Sequence, residues 1–97
     1  MGSKVIVKSL EINLIVNQSF SLKDKRQVIK SIKAKVRRKF NVSIAEVDLM
    51  DSLKETVLAV VLVSNKNNYA DKVLDKIMDF INKNYDVEIV DSSRLNL

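Results

Sequence analysis

The chain has 97 residues, 46% apolar and 30% charged, with a formal net charge of +5 at neutral pH. This is the composition of one ordinary globular domain rather than of a disordered segment. Cysteine and histidine are both absent, which excludes disulfides, thiolate metal centres and cysteine nucleophiles and removes the side chain best suited to proton transfer near neutral pH. The one glycine lies in Met1-Gly2-Ser3, which reads as an appendage to a single domain, so the rest of the chain has no glycine-rich phosphate loop and no dinucleotide fingerprint.

From Lys4 to Val16, the residues Ile6, Leu10, Ile12, Leu14 and Val16 share one parity and Ser9, Glu11 and Asn13 the other, the period-two pattern of a half-buried strand. Glu11 and Asn13 also interrupt the early apolar stretch, so it does not read as a signal peptide. After a polar break, Ser21 and Asp24 stand three apart ahead of a helix that starts at about Leu22. Its apolar face is Leu22, Ile29, Ile32, Val36 and Phe40, with Val28 at the edge, and Asn41 ends it. A second strand is expected from Val42 to about Met50, where Ala45, Val47 and Leu49 alternate with an outward Glu46 and Asp48, followed by a turn at Asp51, Ser52 and Lys54. Thr56 to Val63 is apolar on both parities and β-branched, the pattern of a central strand. Ser64 to Asn68 then opens a second helix, in which Ser64 and Asn65 are capping candidates; its face is Ala70, Val73, Leu74, Ile77, Phe80 and Ile81, and it runs to about Lys83. A short last strand, Asp86 to Asp91, precedes a polar tail.

The order β-α-β-β-α-β predicts an α+β ferredoxin-like sandwich, a four-stranded antiparallel sheet with two helices on one face. A βαββ arrangement with the second helix packed elsewhere, or a KH-like reordering, would use the same elements. The sandwich leaves one sheet face uncovered, and Val5, Val7 and Ile15 lie on the parity that points there. Such a face invites a second copy, with Val5, Val7 and Ile15 at a homodimer interface, unless neighbouring loops cover it.

Between Lys23 and Lys39 nine basic residues face one acid, so this segment carries +8 and the remainder of the chain −3. Helical rotation places Lys23, Arg26, Lys30, Lys33 and Arg37 along one stripe, with Lys35, Arg38 and Lys39 towards the carboxyl end. The stripe suits phosphates of structured RNA; as a bare solvated face it needs no partner, and its last-turn cations also complement the helix dipole. The aromatics are few and do not form the stacking pair used by RNA-recognition sheets of this topology. Glu46, Asp48 and Asp51, along one strand and its turn, could hold a hard cation, but few ligands converge and the first two read as the outward face of a half-buried strand.

Three stretches, Ser21-Leu22-Lys23-Asp24-Lys25-Arg26, Phe40-Asn41-Val42-Ser43-Ile44-Ala45-Glu46-Val47 and Val63-Ser64-Asn65, resemble the YlxP-like family of small bacterial proteins. The resemblance spans nearly the whole chain. It implies a ferredoxin-like fold and, through the usual gene neighbourhood of antitermination, translation-initiation and ribosome-maturation genes, a cytoplasmic bacterial protein connected with RNA or ribosomes. It also makes Lys23, Lys25 and Arg26 the first choice for a phosphate-facing site, beside Lys30, Lys33 and Arg37. Where many members of the family have a histidine and an aromatic residue, this chain has Phe20 and Leu53. The combined expectation is a non-enzymatic module that uses no metal or cofactor and binds ribosomal or other structured RNA, with a homodimer through the open sheet face as the alternative.

Overall fold

In the computed structural model, which describes residues 4–97, the alternating first segment forms β1, Ile6–Val16. It is followed by α1 (Leu22–Lys39), β2 (Ser43–Asp48), β3 (Glu55–Ser64), α2 (Asn67–Asn84) and β4 (Val87–Asn96). The strands form one antiparallel sheet in the order β2-β3-β1-β4. This is the ferredoxin-like α+β sandwich that the element order predicts.

The helices are set by their caps and apolar faces. Ser21 caps α1: its Oγ accepts from the Asp24 N–H at 3.0 Å while Asp24 Oδ2 accepts from the Phe20 N–H at 3.1 Å. The Asp24 N–H, an orphan donor of the first turn, is thereby satisfied, and the second bond fixes the chain entering the helix; such a cap contributes about 1 kcal/mol. Ile29, Ile32 and Val36 of α1 and Ala70, Leu74, Ile77 and Ile81 of α2 are buried against Leu10, Ile12 and Leu14 of β1 and Leu58, Val60 and Leu62 of β3. The helix α2 starts within the expected Ser64–Asn68 segment, but its cap is not one of the expected residues. Its N-cap is Lys66, without a side-chain capping bond, and Ser64 instead closes a tight turn by accepting from the Lys66 N–H at 3.1 Å.

Two further expectations are corrected. The polar tail is a strand: β4 continues to Asn96 against β1, and the Leu97 N–H donates to the Val7 carbonyl at 2.8 Å. The inner positions of this tail are polar because they meet an ion cluster rather than the apolar core. Arg94 donates to Asp71 at 3.0 Å and to Asp75, while Lys8, buried on the inner parity of β1, donates to Asp71 at 2.9 Å. In β2 the expected faces are exchanged. Ile44, in register with Val60, and Glu46, in register with Leu58, face the helices, whereas Ala45 and Val47 are exposed. Both edge strands carry a bulge, Val47 in β2 and Val90 in β4 being the residues without a partner in the register, a device that bends sheet edges and discourages further pairing.

The hydrogen bonds from Lys8 and then Arg94 hold the Asp71 carboxyl below its ordinary value of 3.8. A depressed carboxylate stabilises the fold above its unfolded pKa, and that contribution disappears as pH falls through the lower folded value. Asp71→Asn is therefore expected to lower the melting temperature at neutral pH. The gap to the parent should close on acidification below 3.8, as thermal melts across that range will show.

Candidate nucleic-acid interface

The loop between β2 and β3, Leu49 to Lys54, is organised by a side chain from α1. Lys25 is fully buried, and its Nζ donates to the carbonyls of Leu49 at 2.6 Å, Glu55 at 2.7 Å and Ser52 at 2.8 Å, with the Met50 carbonyl further out at 3.3 Å. Glu46 Oε2 lies 3.4 Å from the same ammonium and accepts from Thr56 Oγ1 at 2.6 Å. An ammonium has three N–H donors, so these acceptors saturate it. Leu49 adopts a left-handed φ of 59°, a conformation that costs a non-glycine residue about 1 kcal/mol or more and persists where its surroundings over-determine it. Here it turns the Leu49 carbonyl onto Lys25. The assignment of Lys25 to a phosphate-facing site is corrected by this geometry: a buried, saturated ammonium has no donor left for a ligand. Glu46, expected to face outward, is committed to the same cluster.

The other predicted cations lie at or near the surface. Lys23, Arg26, Lys30 and Arg37 are exposed and Lys33 is half-buried. Four of them, Arg26, Lys30, Lys33 and Arg37, come together with Glu46 along an open groove of about 500 Å³ between α1 and the β2 edge. The Arg37 Nη2 also donates to the Ile44 carbonyl at 2.9 Å and so shields part of that edge. Among the described residues none of these cations forms a salt bridge with a carboxylate. The groove is thus a row of positive charge whose one acid is already occupied.

The uncovered sheet face has the opposite character. Val7 lies opposite Val63, and Ser9 is flanked by Val61 and Leu95, which makes one end apolar. Towards the other end Glu11, Glu55, Glu88 and Asp91 fall on the same face. Val5 lies just before β1 and is exposed, while Val7 and Ile15 are half-buried on this face. Phe20 is 73% exposed and adjoins the β2–β3 loop, with Lys54 Nζ 5.6 Å from its ring centroid and Ser19 Oγ donating to the Leu53 carbonyl at 2.6 Å. Phe20 and Leu53 therefore belong to one exposed tip.

Sequence reasoning missed the two buried lysines although a signal was present. Lys25 stands four residues before Ile29 and seven before Ile32, in register with the buried face of α1, and Lys8 shares the parity of Ile6 and Leu10. Lys8 was passed over and Lys25 was read as phosphate-facing because lysine defaults to the surface.

Fold and site together define a small α+β domain whose helical side is cationic and whose open sheet face is partly acidic. The chain belongs to the family described as "Protein of unknown function (DUF503)", whose model matches residues 7–94. It is 35% identical over 78 residues to the "Uncharacterized protein YlxP" of Bacillus subtilis (strain 168), a match covering 80% of this chain and 85% of that protein. The resemblance carried by the Ser21–Arg26 and Phe40–Val47 stretches is thereby borne out. Among solved structures, the de novo designed protein Foldit4 is similar in fold, with a TM-score of 0.50 at 18% identity over 94% of this chain and 96% of that one. No helix among the described residues is long and apolar enough to cross a membrane.

Removing the Lys25 ammonium would strand the Glu46 carboxylate and several carbonyls. Lys25→Met is expected to destabilise the protein by about 3–5 kcal/mol, read by urea denaturation. Arg26→Met, one position along on the exposed face, should stay within about 0.5 kcal/mol.

Proposed function

We propose that the protein is a non-catalytic, cytoplasmic bacterial binding module for ribosomal or other structured RNA, in which Lys23, Arg26, Lys30, Lys33 and Arg37 contact phosphates. The observation that carries this reading is that the cations of α1 repel one another without internal compensation. Arg26 and Lys30, and Lys33 and Arg37, stand four apart, and Lys30 and Lys33 three apart, spacings at which like charges destabilise a helix by about 0.2–0.5 kcal/mol per pair. The dipole accounts for the cations of the last turn, but it opposes Lys23 in the first. A phosphate backbone supplies the countercharge that the fold does not.

The sheet face supports the same side of the molecule. Among the described residues no strand residue is aromatic, and Glu11, Glu55, Glu88 and Asp91 would repel phosphates there, so contact falls to the helical side. No cofactor is called for. An enzymatic reading has little to work with, since the buried lysines, Lys25 and Lys8, are already paired with Glu46 and Asp71.

The test is binding of the purified protein to ribosomal subunits and bulk RNA. With four or five phosphate contacts, affinity should fall on the order of a hundredfold or more between ~50 and ~200 mM salt. Lys30→Glu should weaken binding and at the same time raise stability by roughly 0.5–1 kcal/mol by relieving two repulsions. A parent protein that binds no RNA at low salt would sink the proposal.

A second reading rests on the apolar end of the open sheet face, where Val5, Val63 and Leu95 are exposed beside Val7: self-association through this face as a homodimer. Sedimentation of the parent beside Val7→Lys and Val63→Lys decides it. A dimer that both substitutions dissociate supports the reading, and a monomeric parent excludes it.

A further inference from the structure

The phosphate contacts proposed above use one flank of α1, yet the flank facing α2 is cationic as well. Lys35 and Lys39 stand one turn apart there, with Lys35 Nζ 5.7 Å from the Tyr85 ring centroid and Lys39 Nζ 4.9 Å from that of Phe80. Both lysines are exposed, and their stems are braced on these rings rather than on carboxylates. Lys39 joins Lys76 and Lys83 of α2 around an open groove of about 280 Å³ between the helices, lined by a single acid, Asp79. At about 100° per residue, Gln27 and Ala34 fall on the crest between the two rows, and both are exposed. The crest is therefore neutral from Gln27 to Ala34, between Lys23 and Arg38 at its two ends, and cations line one side of the helix and the carboxyl-terminal half of the other, where Asp24 and Ser31 precede Lys35 and Lys39.

One phosphate strand needs one row of cations. Two rows divided by a crest that is neutral over its middle turns match two backbones on either side of a groove. We propose that the ligand is double-stranded A-form RNA, with α1 lying along its minor groove. Arg26, Lys30 and Lys33 face one strand, and Lys39, Lys76 and Lys83 the other. This inference rests on the RNA reading and names the class of RNA.

Single-stranded RNA fits less well, because it is held by aromatic platforms on which successive bases stack. Phe40 and Phe80 meet edge to face at 6.2 Å, and Phe80 carries Lys39. The two most exposed aromatics, Phe20 and Tyr69, lie beyond opposite ends of α1, a helix of 18 residues and hence about 27 Å long. B-form DNA fits less well for a different reason. Its major groove is about 8.5 Å deep and takes a helix that stands clear of its neighbours. Here α1 lies beside α2 in one layer, tied to its end by the 2.8 Å hydrogen bond between Ser31 and Tyr85 hydroxyls. The wide, shallow minor groove of A-form RNA accepts such a low profile and displays 2′-hydroxyls, within reach of the crest residue Gln27.

The experiment is fluorescence anisotropy of the full chain with an RNA duplex of ~20 bp, somewhat longer than the ~16 bp that a double-stranded-RNA domain spans, its single strand, and a DNA duplex of the same sequence. The RNA duplex is expected to bind about tenfold tighter than either competitor. Lys76→Glu/Lys83→Glu, two exposed changes on α2, should cost about tenfold and reduce the salt slope by ~2, with the far-ultraviolet spectrum and melting curve of the parent retained. Equal binding of duplex and single strand, equal binding of RNA and DNA duplexes, or a folded α2 variant that binds like the parent would each overturn the inference while leaving the RNA reading standing. Loss of all RNA binding by the parent would remove both.

Discussion

An ammonium group buried at the junction of a helix, two strands and a loop is the constraint on which this fold turns. Taking a charged lysine out of water costs several kcal/mol unless every donor is met. At Lys25 the donors are met by backbone carbonyls of the β2–β3 loop and by the carboxylate of Glu46. The loop cannot move off the helix without exposing that charge to a poor environment, and so a segment without glycine holds a left-handed Leu49. Two of the three stretches that carry the family resemblance meet at this point: Lys25 belongs to one and Glu46 to the other. Much of what makes the chain recognisable is thus a device for folding, with Ser21 and Asp24 closing the helix start beside it.

A second polar cluster lies elsewhere in the interface between sheet and helices, where Lys8 and Arg94 reach Asp71 and Arg94 reaches Asp75. The apolar core specifies that α1 and α2 cover the sheet, but aliphatic contacts tolerate sliding by a residue or a turn. Charged partners in fixed positions do not, because a shifted register would leave Lys8 or Lys25 unpaired. On this view α1 is pinned to β2 and β3 by one cluster and α2 to β1 and β4 by the other.

The elements and their order were legible because most depend on hydrophobic periodicity, which the alternation of β1 and the face of α2 display without ambiguity. Two misjudged positions, Lys25 and Glu46, and one overlooked, Lys8, share one cause. Lys8, Lys25 and Glu46 occupy inward places on a strand or helix, and a charged residue at such a place looks like surface until its partner is known; the partners lie 63 residues away for Lys8 and 21 away for Lys25 in the chain. The extension of β4 through Ser92, Arg94 and Asn96 was hidden for a related reason, since its inner side chains meet aspartates of α2 rather than aliphatic groups. Of the candidate site, the basic stripe could be read from rotation about one helix. The contribution of Lys76 and Lys83 could not, because it depends on how α2 docks beside α1.

The distribution of charge then separates what the fold requires from what it tolerates. Cations that serve the structure are buried and matched, as at Lys25 and Lys8, or complement a dipole, as in the last turn of α1. Arg26, Lys30 and Lys33 do neither. They crowd one another at spacings where repulsion is felt, on a helix with an acid, Glu46, close by but already bound to Lys25 and Thr56. Had that acid been free it would have neutralised part of the groove. Its capture by the buried lysine therefore does two things at once: it holds the loop, and it leaves the surface cations facing outward without a partner of their own.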